Sequence, residues 1–258
     1  MFIDSHLHLI QKDYDKPILS VIEKAKENGV TTLIVSCCEM SDMDESLSLL
    51  KYSNVLLSIG LHPSEADTYT EEDILKIETN AKNNDKIIAI GEIGLDYYYG
   101  KENRLRQIEL FKKQLDLAAK LSLPVVIHTR DAAEDTISIL KKYNLKGVIH
   151  CFNGSIETAK EYLRLGYLLG IGGVVTFKNS KLYQVVEKIS LDDIVLETDS
   201  PYLSPDRGKQ NEPSNIPVIA KRIAEIKNVE IEKVANITSS NVIELFDLKK
   251  HIWYIRIS

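Results

Sequence analysis

The histidines are the residues of this chain best suited to do chemistry. Five of the six close an apolar, strand-like run, and two carboxylates stand in the same kind of position. Alternate side chains of a strand point to one face, so polar groups at the ends of separate strands can converge in space. Six such groups predict a metal centre that holds two ions. They are His6, His8, Glu92, His128, His150 and Asp199.

The rest of the chain alternates short β-rich runs with amphipathic stretches. Several runs are apolar throughout, which is typical of parallel strands covered on their outer face. Eight such βα units predict a single α/β domain over residues 1–248, a (β/α)8 TIM barrel with its active site at the carboxyl ends of the strands. The predicted strands are 2–8, 32–38, 55–61, 87–95, 124–129, 147–152, 167–172 and 194–198. The predicted helices are 17–28, 41–52, 71–83, 104–121, 132–143, 156–165, 181–189, 214–227 and 231–246.

The first ion is assigned to side chains of strands 1 and 8, which meet where the predicted barrel closes. His6 and His8 are two residues apart, so both imidazoles turn to one face and can bind one ion together. Asp199 can reach the same ion because strand 8 neighbours strand 1 in a closed barrel. The simpler alternatives are polar residues in an N-terminal strand and a carboxylate that caps a loop.

The second ion is assigned to His128 and His150, which end adjacent strands. Glu92 ends the strand beside His128, and its two oxygens could each take one ion at the ~3.5–4 Å separation of two-metal hydrolases. Glu92 is therefore predicted to bridge the ions and to be a catalytic group. The alternatives are ordinary core histidines and a buried carboxylate paired with a cation. Histidine with carboxylate suits Zn, Mn or Fe.

Composition and charge narrow the function classes. The net charge of −6 argues against a protein that coats nucleic acid nonspecifically, but it permits a grip on one strand end. The three cysteines lack CxxC spacing and indicate neither a disulfide framework nor a cysteine metal knuckle. No signal peptide or membrane-length run is recognised, so a cytoplasmic location is expected. Cys151 alternates with His150 and is expected to face the helices, away from the metals.

Five segments, in register along the chain, resemble the TatD family of metal-dependent deoxyribonucleases within the amidohydrolase superfamily. The likeness extends from residue 2 to about residue 247. It implies a TIM barrel, the same six-residue ligand set, Mg or Mn for activity, and hydrolysis of DNA phosphodiesters from single-stranded 3′ ends. The segments are Asp4-Ser5-His6-Leu7-His8, Gly91-Glu92-Ile93-Gly94-Leu95-Asp96, His128-Thr129-Arg130, His150-Cys151-Phe152-Asn153-Gly154 and Glu197-Thr198-Asp199-Ser200-Pro201-Tyr202-Leu203.

Further roles follow for residues around the ligand set. In the setting of the family, Asp199 is both a ligand and the general base for the attacking water. Arg130 shares the face of His128 and could bind a phosphate oxygen, or it could pair with Glu197 or Asp131. Glu197 is interpreted as a partner that orients a ligating histidine. His62 points to the same mouth and could contact substrate or serve a structural role.

Three other segments carry open alternatives. Arg207 and Lys209 resemble a phosphate-gripping loop of the family, and a solvated basic loop is the ordinary alternative. Tyr97, Tyr98 and Tyr99 could stack bases of a single-stranded end or pack their own loop. The tail at residues 249–258 alternates like a short strand and has no functional assignment.

Two other functions compete with the nuclease. A small-molecule amidohydrolase or phosphotriesterase is the first, although several such barrels bridge their metals with a carboxylated lysine where this chain has Glu92. A metal-dependent binding protein without turnover is the second, and the complete ligand set with Asp199 argues against it. The sequence indicates neither a membrane partner nor an obligatory protein partner.

Overall fold

The computed structural model describes residues 1–252, and its strands confirm the predicted TIM barrel. Eight strands lie in one parallel sheet in chain order, each paired with the next. The seam between the last strand and the first carries two backbone hydrogen bonds, from Asp199 N–H to the His6 carbonyl (3.0 Å) and from His8 N–H to the Ser200 carbonyl (2.8 Å). The barrel is thus nearly closed. Its strands are β1 Phe2–Leu7, β2 Val30–Cys37, β3 Val55–Ile59, β4 Ile87–Asp96, β5 Val125–Arg130, β6 Gly147–Ile149, β7 Tyr167–Ile171 and β8 Ile194–Leu196.

Ten helices of the described chain surround or close the barrel. They are α1 Ile18–Glu27, α2 Met43–Ser48, α3 Glu71–Asn83, α4 Arg104–Leu121, α5 Ala133–Leu140, α6 Ile156–Arg164, α7 Leu182–Lys188, α8 Ile216–Lys227, α9 Ile231–Leu245 and α10 Lys249–Ile252. The helix predicted at 41–52 is α-helical only in α2, with a 3₁₀ turn on each side. Serine and aspartate side chains compete for backbone groups there, and the Ser48 hydroxyl donates to the Glu45 carbonyl (2.7 Å).

Two apolar clusters hold the barrel. The larger lies between the strands and the surrounding helices. The smaller contains side chains from the amino-terminal halves of the strands, such as Ile3 and Leu56, and packs against Val242, Phe246 and Leu248. The end of α9 and the residues after it therefore cover the bottom of the barrel, which leaves the carboxyl ends of the strands as the open face.

Five strands are shorter than predicted, and two of them, β6 and β8, bear on the site. β6 ends at Ile149 and β8 at Leu196, because the backbone turns into the left-handed region soon afterwards, at Cys151 (φ 47°) and Asp199 (φ 55°). The ligand-type residues His150 and Asp199 consequently lie in the turns that follow these strands. This placement at the mouth still matches the predicted one.

Two further findings concern membrane-spanning helices and the C-terminal tail. No helix within residues 1–252 is long and apolar enough to cross a membrane. The strand-like pattern of the tail falls mainly on residues 253–258, which lie outside the described residues, whereas Lys249–Ile252 forms the short helix α10.

Candidate metal centre

One half of the centre is built at the seam between β1 and β8. Glu92 Oε2 lies 3.3 Å from His6 Nε2 and 3.8 Å from His8 Nε2. Asp199 Oδ1 lies 3.7 Å from the first of these nitrogens and 3.5 Å from the second. Two histidine nitrogens and two carboxylate oxygens therefore converge where the sequence places the first ion.

The other half is built at the ends of β4, β5 and β6. Glu92 Oε1 lies 2.7 Å from His128 Nδ1 and 2.9 Å from His150 Nε2. The two oxygens of Glu92 thus face two different pairs of histidines. This is the arrangement that a carboxylate bridging two ions requires.

The donor set fits divalent metal ions. Neither ring nitrogen of His6 meets the geometry of a hydrogen bond, although its Nε2 faces the Glu92 and Asp199 carboxylates and this side chain is 1% exposed. A buried, unpaired imidazole is costly, and a metal ion removes that cost. Within residues 1–252, the nitrogen and oxygen atoms of this set form three overlapping groups whose members lie within 4.8 Å of one another. Imidazole with carboxylate suits Zn, Mn and Fe, so the geometry leaves the metal open.

The electrostatics of the centre favour an ionised Glu92. Burial raises the pKa of this carboxyl, but the facing histidines, led by His150, bring it well below its usual range. Burial lowers the pKa of His150 in turn, and Glu92 and Glu197 raise it well above the usual value. Glu92 and His150 therefore stabilise each other's charged forms.

Glu197 lies beside His150, as the sequence predicts. Its Oε1 is 3.7 Å from His150 Nδ1 and accepts the backbone N–H of Cys151 at 2.5 Å. The first distance is too long for a hydrogen bond in this arrangement, while the second fixes the carboxylate. A β-carbon on Gly170 would overlap the Glu197 carboxylate, so this glycine provides its space.

Asp96 and Asp4 also lie at the site, although the sequence predicts no separate role for either. Asp96 Oδ2 lies 3.3 Å from His128 Nε2, on the side of that ring away from Glu92. Asp4 accepts the N–H of Thr198 (2.9 Å) and of His6 (3.3 Å), which ties β1 to the segment that carries Asp199. Strand alternation contains the signal for both, because each carboxylate is an even number of residues from a predicted ligand on its own strand.

His62 lies at the mouth, as expected. Its Nε2 is 3.9 Å from Glu92 Oε1, and its Nδ1 accepts the backbone N–H of Ser64 (3.2 Å). Burial lowers the pKa of His62 to about 4, so the ring is neutral at neutral pH. With Asp96 and His128 it forms a further group of possible ligand atoms.

Arg130 stacks on an aromatic ring. Its guanidinium carbon is 3.5 Å from the centroid of the Tyr98 ring and 5.6 Å from that of Tyr99. In the described part of the chain it pairs with neither Glu197 nor Asp131, the two carboxylates considered as its partners. Tyr98 and Tyr99 are exposed, whereas Tyr97 is buried and donates its hydroxyl to Asp135 (2.7 Å).

The loop after β8 has a fixed base and an exposed tip. Asn211 donates its side-chain amide to the carbonyls of Thr198 (2.8 Å) and Tyr202 (2.6 Å). At the tip, Arg207 packs on the Phe177 ring with 4.6 Å between guanidinium carbon and centroid, and Lys209 pairs with Asp206 at 2.6 Å. Both predicted phosphate contacts are therefore exposed, and Lys209 has a carboxylate partner.

Two cavities flank the centre. The one on the β3–β4 side has a volume of about 390 Å³ and is lined by His62, Asp67, Asp96 and Glu102 among others. The one on the β5–β7 side, about 760 Å³, is lined by residues that include His128, His150, Cys151 and Asp199. Cys151 thus faces the site, contrary to expectation, because its left-handed backbone (φ 47°) breaks the strand alternation.

Comparisons with known proteins agree with this geometry. The family model described as TatD related DNase matches residues 3–247. An uncharacterized metal-dependent hydrolase of Bacillus subtilis (strain 168), YabD, is 40% identical over 253 residues, which cover 95% of this chain and 99% of that protein. The human deoxyribonuclease TATDN3 is 33% identical over 97% of this chain and 96% of its own length. The crystal structure of YJJV, a TatD homolog from Escherichia coli k12, has a TM-score of 0.88 and 28% identity over 95% of this chain and 98% of that one. The chain therefore belongs to the TatD family of metal-dependent hydrolases.

Proposed function

We propose that this protein hydrolyses phosphodiester bonds of DNA, one nucleotide at a time, from single-stranded 3′ ends. The proposal rests on the position of the Glu92 carboxylate between two pairs of histidines. Its Oε2 faces His6 and His8, and its Oε1 faces His128 and His150. Two-metal sites of this kind act on both the attacking and the leaving oxygen of a phosphoryl group. The name of the human relative, a deoxyribonuclease, supports DNA as the substrate.

His6, His8 and Asp199 would hold one divalent ion, His128 and His150 the other, and Glu92 both. When bound, such ions lower the pKa of water and neutralise charge on phosphoryl oxygens. Asp199 takes the proton of the attacking water. Its facing imidazoles, led by His8, hold the pKa of Asp199 below its usual value against the effect of burial, so it is ionised and ready to accept.

Cationic side chains around the mouth position the phosphate. Arg130, Arg207 and Lys209 are the proposed contacts, and an arginine fork suits a phosphate oxygen better than a point charge does. Arg130 is held by the Tyr98 ring, so less rotamer freedom is lost when it binds. His62, neutral at the opposite edge, is proposed to contact substrate as well.

The location and partners of the protein complete the proposal. Cys37, Cys38 and Cys151 are all free thiols, which fits the reducing cytoplasm. DNA is the proposed macromolecular partner, and Mg or Mn the proposed ion in the active enzyme, with Zn able to occupy the same ligands.

The test is cleavage of end-labelled single-stranded DNA after metal stripping and readdition of Mg, Mn or Zn. His128→Ala and Asp199→Asn are assayed alongside the wild type, with circular dichroism to verify folding. We expect stepwise shortening from the 3′ end that requires metal and is lost in both variants. Near-full activity of Asp199→Asn would remove the base assignment. Intact DNA under every metal, with ions bound by elemental analysis, would favour a small-molecule amidohydrolase.

A further inference from the structure

We propose that the cavity on the β5–β7 side of the centre binds the 3′-terminal nucleoside of an unpaired strand, and that this subsite selects the substrate. The inference rests on the proposed function and adds the part of the strand that the enzyme recognises. It assigns a role to side chains that hold no metal, chiefly Phe152, Thr158, Tyr162 and Val174.

The position of the cavity fits a group attached to the reacting phosphate. His128, His150 and Asp199 form its inner wall, so its contents lie directly beside the metal centre. Arg130 lies on its rim, where it could pair with the phosphate of the bound nucleotide. The volume of about 760 Å³ lies within the ~300–1,000 Å³ of small-molecule sites, so the cavity has room for a nucleoside.

Apart from Arg130, Asp131 and the candidate metal ligands, the lining fits a flat, uncharged group that has both apolar faces and polar edges. Phe152 and Val174 offer apolar surface, and Asn153, Thr129 and Thr158 offer polar atoms. Tyr162, whose residue is fully buried, also reaches this cavity from α6. Its hydroxyl is buried, so Tyr162 forms part of the wall of the cavity and supplies no polar contact to a ligand.

The second cavity is a poor site for a strand of DNA. Asp67, Asp96 and Glu102 bring three carboxylates to a volume of only about 390 Å³, and among residues 1–252 only Asp67 of the three has an arginine partner, Arg106 at 3.0 Å. Negative charge there repels further phosphates. A strand is therefore expected to end at the centre, with its last nucleoside in the β5–β7 cavity.

The reaction fixes which oxygen links that nucleoside to phosphorus. Water supplies the oxygen that bonds to phosphorus, and Asp199 takes its proton. The bond from phosphorus to the 3′ oxygen of the preceding nucleotide breaks, and that oxygen leaves with the electron pair and takes a proton from solvent water. The products are a nucleoside 5′-monophosphate, held in the cavity, and a strand shorter by one nucleotide.

Binding of thymidine 5′-monophosphate tests the assignment without turnover. Calorimetric titrations on the Mn-loaded protein compare this probe with thymidine 3′-monophosphate and with inorganic phosphate. The wild type is expected to bind the 5′ isomer tightest, on the order of tenfold tighter than phosphate if one base is stacked. Equal affinity for the 5′ isomer and phosphate, or tighter binding of the 3′ isomer, would overturn the assignment.

Two variants fill the cavity and one provides a matched control. Val174→Phe adds a ring from the turn after β7, and Thr158→Phe adds one from α6. Both are expected to reduce the affinity for thymidine 5′-monophosphate to that for phosphate. Val218→Phe makes the same change at an exposed position of α8 and should bind as the wild type does. Unchanged nucleotide affinity in both filled variants would overturn the assignment.

The outcomes separate this inference from the function on which it rests. If no metal supports DNA cleavage while nucleotide binding still depends on the cavity, the nuclease proposal fails and the subsite stands. If DNA is shortened but the nucleotide binds no tighter than phosphate, the subsite fails and the nuclease stands.

Discussion

At the scale of single residues, protons and metal ions compete for the same side chains of the centre. Facing carboxylates raise the pKa values of His8, His128 and His150 against the effect of burial. A metal binds only the neutral ring, so it must displace any proton held there. The raised values mean that these protons are still present at higher pH than for ordinary histidines.

Metal binding should therefore release protons, and the affinity should rise with pH. Titration with Mn at pH 7 in buffers of different ionisation enthalpy is expected to show release of about one proton or more per protein. The His150→Ala variant should release fewer, since the pKa of this ring is raised and the variant has no ring to deprotonate there. Heats that do not vary with the buffer would contradict this account.

The Tyr98 ring should matter for Arg130 more than the Tyr99 ring does. Exposed cation–π contacts are worth ~0.5–1 kcal/mol, so Tyr98→Leu is expected to lower kcat/KM on single-stranded DNA about two- to fivefold, mainly through KM. Tyr98→Phe retains the ring and should retain activity. Tyr99→Leu is the matched control, because Tyr99 is 5.6 Å from the guanidinium instead of 3.5 Å. Equal losses at both tyrosines would contradict the role of the stack.

At the scale of elements, the close approach of β4 and β5 positions His128. Gly94 has φ 149°, and a β-carbon there would overlap the carbonyl oxygen of His128. Gly166 also has a positive φ, 85°, but nothing lies within 4 Å of its β-carbon position. Substitutions at these two glycines therefore distinguish the cost of backbone strain from the cost of steric overlap.

Gly94→Ala should cost more than Gly166→Ala. Backbone strain alone is worth ~1–2 kcal/mol, and overpacking adds ~1–3 kcal/mol at residue 94. Urea denaturation should show this difference in the free energy of unfolding, and Gly94→Ala should also bind Mn more weakly, since His128 moves. Similar losses for the two variants would mean that β4 and β5 adjust without strain.

The elements also show what could be predicted from the sequence. Apolar runs such as Ile87–Ile90 in β4 identify parallel strands because burial on both faces leaves no room for polar residues. Among the strand ends that were predicted too late, those of β6 and β8 have a cause that leaves no trace in periodicity, the left-handed backbone of Cys151 and Asp199. For the same reason the orientation of Cys151 was wrong.

The site divides in a similar way. Residue type and strand alternation brought the six candidate ligands together, because both depend on local sequence and on the closure of the barrel. Contacts between loops were harder to predict from the sequence. The stack of Arg130 on Tyr98 depends on the path of the chain after β4, and no sequence spacing determines that path.

At the scale of the whole molecule, the net charge is negative, whereas the proposed phosphate contacts are cationic. The chain carries −6 overall, and its proposed phosphate contacts are Arg130, Arg207 and Lys209. Lys209 is already paired with Asp206, so its contribution is reduced. Each contact to a single strand contributes a slope of about −0.7 to the dependence of log K on log salt, which gives about −2 for three contacts.

Fluorescence anisotropy of metal-loaded Asp199→Asn with labelled single-stranded DNA, between ~50 and 200 mM salt, should therefore show only a shallow loss of affinity. Arg130→Leu introduced into this inactive protein should reduce the slope by about 0.7. A slope several times steeper would mean that the strand runs along a longer basic path than the mouth of the barrel offers, and end-directed binding would have to be abandoned.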